Sequence, residues 1–311
     1  MKNKKLRNLI IAGAAIASPI VINKSVFLIA SKKYPMLDAI HTYDWRLGKI
    51  GYSVKGNGKP VVLIHGAKPG SSSAVWLKNA NELSEKYKVY SLDLLGYGTS
   101  ERINTTYTAY TYASLINDFI EDVVGRPAAV IAEGEGAMFA AAAYTKNPKN
   151  IKKMILICPK GINSPFASNK DKRTRKLYEL PVIGESIYLM NTTYMCIKNM
   201  LRGMIFAESN MKILTVKFYS SAHYMGALNR FVFASYKTNF MNTDIKPYIE
   251  NFKVLTLFIW GEDAEDIVCF EEIQGLSDKA EYALFEETSN LPNYENAEEF
   301  NKLAIEFLQK K

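Results

Sequence analysis

The sequence predicts an α/β protein: a mostly parallel sheet flanked by helices, with a helical insertion. Three observations carry this. Short, continuous apolar runs such as Pro60–Ile64 alternate with segments of helical period, as expected for strands buried on both faces. Gly- and Ser-rich turns follow the strand-like runs. Between Gly161 and about Asn251 the alternation stops, and an aromatic- and methionine-rich stretch takes its place.

The elements follow in order. Ala39 to Leu47 and Ile50 to Val54 read as an antiparallel hairpin. Pro60 to Ile64 is a strand, followed by a Gly/Ser-rich turn to Ser73 and a helical stretch through Glu85. Val89 to Leu92 is the next strand. Tyr112 to Val124 places apolar residues at 112, 115, 116, 119, 120 and 123, which is helix period. Ala128 to Ala132 is a strand leading into a small-residue helix, Ala137 to Tyr144. Ile151 to Cys158, Val254 to Trp260 and Tyr282 to Phe285 complete the strands, and Asn296 to Leu308 closes the chain as an amphipathic helix. Alternating strands and helices imply parallel pairing, with ligands at the strands' C-terminal ends. The insertion, 162–251, shows helical pieces around Ile187 to Arg202 and Ala227 to Tyr236 and reads as a cap over a core of 39–161 and 252–311. The run Lys170-Asp171-Lys172-Arg173-Thr174-Arg175-Lys176 reads as a solvated loop.

With 311 residues and 48% hydrophobic content, the chain has enough material for such a domain. The formal charge of +8 suits a membrane surface better than nucleic acid, for which no zinc-finger spacing, aromatic RNA-binding signature or basic recognition helix is present. Cys158, Cys196 and Cys269 are too few and too scattered for a disulfide framework or a metal site. Neither a metal nor an organic cofactor is expected.

Residues 1–33 form a segment of their own. Lys2, Lys4, Lys5 and Arg7 precede an apolar run, Leu9 to Ile22, of roughly 21 Å as a helix. That is short for a span, but a second patch, Val26 to Ala30, extends it beyond Lys24. Three readings are open: a membrane anchor, a cleaved signal ending near Ala15-Ile16-Ala17, or a helix packed on the domain. The segment favours membrane association; without that role the protein would be cytoplasmic or secreted.

Four motifs occur in order: Leu63-Ile64-His65-Gly66; Asp93-Leu94-Leu95-Gly96-Tyr97-Gly98-Thr99-Ser100; Leu257-Phe258-Ile259-Trp260-Gly261; and Leu291-Pro292 ahead of Glu298-Glu299-Phe300. Together they resemble the α/β-hydrolase superfamily, within its lipase, esterase, epoxide hydrolase and haloperoxidase-like branch. The resemblance spans roughly residues 40 to 308. It implies an eight-stranded sheet, a helical cap and a catalytic elbow after the fifth strand.

That elbow falls at Ala132-Glu133-Gly134-Glu135-Gly136, where the family pattern is small-x-nucleophile-x-small. The nucleophile position is Gly134, which has no side chain to attack a carbonyl. The family histidine position falls at Asn290, and no histidine follows His223. An amide cannot accept and return a proton near neutral pH. The acid position falls at Ala264, with Asp263 and Asp266 on either side. The resemblance also implies an oxyanion-type pair of backbone donors at Glu135 and near Ala67, in the loop of His65 and Gly66, and these need no particular side chain. Glu133 and Glu135 are expected to point to solvent or to cap the helix. His65 is expected to shape its loop, His41 to pack in the hairpin, and His223 to sit in the cap.

Two functions follow. In the first the protein is a catalytically silent binding or accessory protein, with a capped apolar pocket for a small apolar or acyl-type ligand. In the second it is an active hydrolase, on ester or epoxide-type substrates, in which Glu133 or Glu135 activates water directly.

Overall fold

The computed structural model describes residues 19–30, 41–162 and 170–310. Eight strands form one sheet in the order β1-β2-β4-β3-β5-β6-β7-β8. These are β1 (His41–Trp45), β2 (Gly48–Lys55), β3 (Lys59–Ile64), β4 (Tyr87–Leu92), β5 (Ala128–Glu133), β6 (Ile151–Ile157), β7 (Leu255–Gly261) and β8 (Ala280–Phe285). The β1–β2 and β2–β4 pairs are antiparallel and all others parallel. Val61, Val62, Leu63 and Ile64 have no exposed surface, which is why β3 reads as an unbroken apolar run. The chain passes from β3 to β4 on one side and then crosses to β5 on the other. The crevice at that switch point lies above the C-terminal ends of β3 and β5.

Twelve residues, 19–30, form helix α1. The core helices are α2 (Ala80–Ser84), α3 (Ala109–Phe119), α4 (Gly134–Lys146), and, after β7, α11 (Val268–Ile273), α12 (Pro292–Glu295) and α13 (Ala297–Gln309). Between β6 and β7 lie α5 (Lys172–Glu179), α6 (Ile183–Asn191), α7 (Tyr194–Arg202), α8 (Met211–His223), α9 (Asn229–Lys237) and α10 (Lys246–Ile249). Aromatic contact ties α3 to α4: Tyr112 stacks on Phe139 at 4.5 Å. A buried amide pair, Asn79 Nδ2 to Asn301 Oδ1 at 2.8 Å, ties the start of α2 to α13.

Several expectations change in detail. The helical stretch to Glu85 is divided into a 3₁₀ turn, Ser73–Trp76, and α2. The piece from Ile187 to Arg202 belongs to two helices. The Thr192 hydroxyl bonds back to the Tyr188 carbonyl at 2.9 Å, and Thr193 caps the next helix by accepting from the Cys196 amide at 3.1 Å. The basic run at 170–176 is not a loop. Asp171 accepts from the Arg173 and Thr174 amides, each at 3.0 Å, and starts α5, none of whose residues is buried. Within 170–176 only Thr174 is uncharged, and the apolar residues of the helix, Leu177 and Tyr178, lie beyond that run.

The segment before residue 19, with the candidate span and cleavage site, lies outside the described residues. Helix α1 packs on the insertion: Asn23 Nδ2 donates to the Val182 carbonyl and Ser186 Oγ, and Phe27 joins Tyr188, Leu189 and Phe233 in a small apolar cluster. No helix among the described residues is long and apolar enough to cross a membrane.

Candidate active site

The motif residues shape the strand ends around the crevice, and of them Gly66 lines it. Asp93, at the end of β4, accepts from the Ser73 amide at 2.7 Å and from the amide and hydroxyl of Thr99, each at 2.8 Å. Gly98 lies at φ +50° against that carboxylate, and a Cβ would come within 2.1 Å of it. The Trp-Gly motif has a similar origin. A Cβ on Gly261 would meet the Ser289 carbonyl at 2.1 Å, so only glycine lets the loop after β8 approach the end of β7.

His65 is buried, with both ring nitrogens engaged. Its Nδ1 lies 2.6 Å from the Gly66 carbonyl, and its Nε2 accepts from the Leu94 amide at 3.0 Å. Burial pulls its pKa down, so the ring stays neutral. His41 stacks on Tyr52 at the sheet edge. His223 packs between Phe27 and Tyr219 in the insertion, with Nδ1 on the Tyr219 carbonyl at 2.8 Å.

Gly134 stands where the turn from β5 into α4 is sharpest, at φ +57°, and a Cβ there would touch nothing within 4 Å. Two residues on, a Cβ at Gly136 would sit 2.4 Å from the His65 carbonyl. The small-x-x-x-small pattern is thus enforced by close approach, while the middle position faces open space.

The carboxylates depart from expectation. Glu133 and Glu135 are only 3% and 7% exposed, and the Glu133 side chain makes no capping bond to α4. Both converge on the turn after β3. The Gly66 amide donates to Glu133 Oε1, and the Ala67 amide donates to Glu135 Oε2 at 2.9 Å. The Ala67 donor expected to remain available for a carbonyl is therefore occupied by the protein's own carboxylate. Burial, reinforced by the Glu135 charge, pushes the Glu133 carboxyl up to about 7, against the opposing pull of the Gly66 amide and of Lys68 and Lys160.

Asn290 lies in the same crevice, with Gly66, Lys68, Glu133, Gly134, Glu135, Cys158, Lys160 and Met204 around it. The space they enclose, ≈ 10 Å³ for the centre of a water-sized sphere, holds about one water. Apolar and charged side chains share the lining, Met204 and the Cys158 thiol beside Lys68, Glu133, Glu135 and Lys160. The Asn290 amide donates to the Met204 carbonyl at 3.0 Å and its Nδ2 reaches the Gly203 carbonyl at 3.4 Å, so the residue ties the last loop to the insertion. Its Oδ1 is buried without a hydrogen-bond partner among the described residues. Glu295 reinforces the tie, accepting from the Ser289 amide at 2.8 Å and from the Phe206 amide.

Ala264 is buried at the acid position. Asp263 is exposed, and Asp266 is held by Lys160 at 2.9 Å. Burial would pull the Lys160 pKa down, but Asp266 more than offsets it and the net direction is upward. Lys160 and Cys158 were not singled out as site residues from sequence. The available signal was position: both directly follow β6, at the sheet edge where ligands bind. Burial holds the Cys158 thiol protonated.

A family model for the alpha/beta hydrolase fold matches residues 59–178. The chain is 22% identical over 274 residues to a 2-hydroxy-6-oxo-6-phenylhexa-2,4-dienoate hydrolase of Comamonas testosteroni, covering 84% of this chain and 92% of that one. Among solved structures it is similar to a meta-cleavage product hydrolase of Pseudomonas fluorescens, with a TM-score of 0.71, 19% identity, and coverage of 86% of this chain and 97% of the other. It is also similar to a bacterial membrane phospholipase A, with a TM-score of 0.70, 21% identity, and coverage of 99% and 98%.

Proposed function

We propose that this chain, which belongs to the α/β-hydrolase superfamily, is a catalytically silent member acting as a binding or accessory protein. The observation that carries the reading is the elbow: a bare backbone at Gly134, with the facing loop amides of Gly66 and Ala67 held by Glu133 and Glu135. A nucleophile, its base and a free oxyanion donor are each needed for acyl transfer. In a triad hydrolase the loss of nucleophile and histidine costs about 10⁶-fold in rate. A small acyl-type ligand enters this site only when the insertion, 162–251, lifts Met204 away from Asn290, because the closed space takes about one water. The reading includes a membrane surface as partner through residues 1–30, and no nucleic acid.

The second reading, a hydrolase using carboxylate-activated water, has one observation in its favour. Glu133, pushed up to about 7, borders a void of one water's size beside the unpaired Oδ1 of Asn290. One experiment separates the two. The full-length protein is treated with a fluorophosphonate probe and assayed on short p-nitrophenyl esters and a styrene-type epoxide. The silent reading expects no labelling and hydrolysis at the blank rate, for the native chain and for Glu135→Gln alike. Turnover above blank that Glu133→Gln or Glu135→Gln abolishes would establish the second reading. Labelling of the native chain would overturn both, since it requires a nucleophile that neither contains.

A further inference from the structure

We infer that α1 is an interfacial clamp that seats the protein on anionic lipid with the helical insertion facing the bilayer. This deepens the membrane part of the proposed reading, and it does not depend on whether the elbow is silent.

Two faces of α1 do different work. Asn23, Phe27 and Ala30 are buried against the insertion. Val21, Ile22 and Ile29 are 63%, 58% and 62% exposed on the opposite side, with Lys24 exposed among them. A helix held only by domain packing would carry polar residues on that side. The insertion also carries exposed apolar side chains next in sequence to the residues that α1 touches. Asn23 bonds to the Val182 carbonyl, which brings the half-exposed Ile183 beside it, and Phe27 lies near Gly226, next to the half-exposed Met225.

Charge identifies the partner. The first 37 residues carry seven Lys and Arg and no Asp or Glu, so they hold seven of the eight units of formal net charge. An exposed aliphatic helix face within a stretch of sequence so rich in positive charge matches an anionic lipid surface, where the side chains enter the acyl boundary and the cations meet headgroups. The described helix is 12 residues, about 18 Å. Its polar anchor to Val182 and Ser186 keeps it parallel to the insertion's surface.

The test uses the full chain and vesicles of phosphatidylcholine with or without 30% phosphatidylglycerol. Flotation is expected to recover the protein with the anionic vesicles at least tenfold more than with the neutral ones, and the difference should collapse in 0.5 M salt. Val21→Asp/Ile22→Asp/Ile29→Asp, checked by circular dichroism, should lose at least tenfold of the binding. For orientation, an environment-sensitive dye is placed by Ile183→Cys or by Glu85→Cys in a Cys196→Ser/Cys269→Ser background. The dye at 183 should be quenched by lipid-borne nitroxide and the dye at 85 should not. Anionic binding with both dyes equally unquenched would overturn the seating while leaving membrane association intact. Absence of binding to either vesicle, or binding unaffected by the triple substitution, would overturn both.

Discussion

Glu133→Gln is expected to raise stability by roughly 3 kcal/mol at pH 8 and to change it little near pH 4.5, the figure being the difference between a folded-state pKa of about 7 and the ordinary 4.5 at 1.36 kcal/mol per unit. The sign follows from proton counting. Folded Glu133 keeps its proton up to about pH 7, whereas the unfolded chain releases it around 4.5. Between those values the folded state binds more protons, so native stability falls as pH rises, and it stays lower above 7. Burial makes the ionised form costly, and Glu135 beside it adds repulsion. A neutral amide avoids both costs while its carbonyl still accepts from the Gly66 amide. Urea denaturation of both proteins at pH 5, 6, 7 and 8 gives the difference directly. Profiles that run parallel across this range would mean that Glu133 titrates normally and that the carboxylates do not share a dry site.

Arg102→Met is expected to cost about 3–5 kcal/mol, because it leaves several buried acceptors without a donor. Arg102 is 2% exposed, and no carboxylate pairs with it among the described residues. Its guanidinium instead donates to the carbonyls of Tyr97, Gly98 and Ser100 in the turn after β4, and to the Ser221 carbonyl and Asn229 Oδ1 in the insertion. The residue therefore joins core to insertion. The loss should appear as a lower urea midpoint and as earlier proteolytic cleavage within 170–251 than elsewhere. Arg102→Lys should recover only part of it, since an ammonium has three donors and no planar fork. A change below 1 kcal/mol for the Met variant would show that water replaces the guanidinium and that the join lies elsewhere.

Both effects depend on partners distant in sequence, Gly66 for Glu133 and Ser221 with Asn229 for Arg102, and that separates what could be read from the chain. Strand positions were legible because strands buried on both faces must be apolar throughout, as Val61 to Ile64 are. The elbow was legible because the close approach of Gly136 to the His65 carbonyl tolerates no side chain. The helix α5 was not legible because the basic run holds one uncharged residue, Thr174, and α8 was not because its pattern is mixed, with Ile213 exposed and Ser220 and Ser221 buried. Lys160 carried no motif, only its place after β6.

The sequence by itself determined the α/β architecture, the glycine at the elbow and the amide at position 290, because each follows from residue type at a position the backbone geometry defines. Only the tertiary structure decided where Glu133 and Glu135 point and which face of α1 is covered. A side chain's direction is chosen by the nearest unpaired partner, here the Gly66 and Ala67 amides and the Val182 carbonyl, and those partners arrive from parts of the chain that local pattern does not connect.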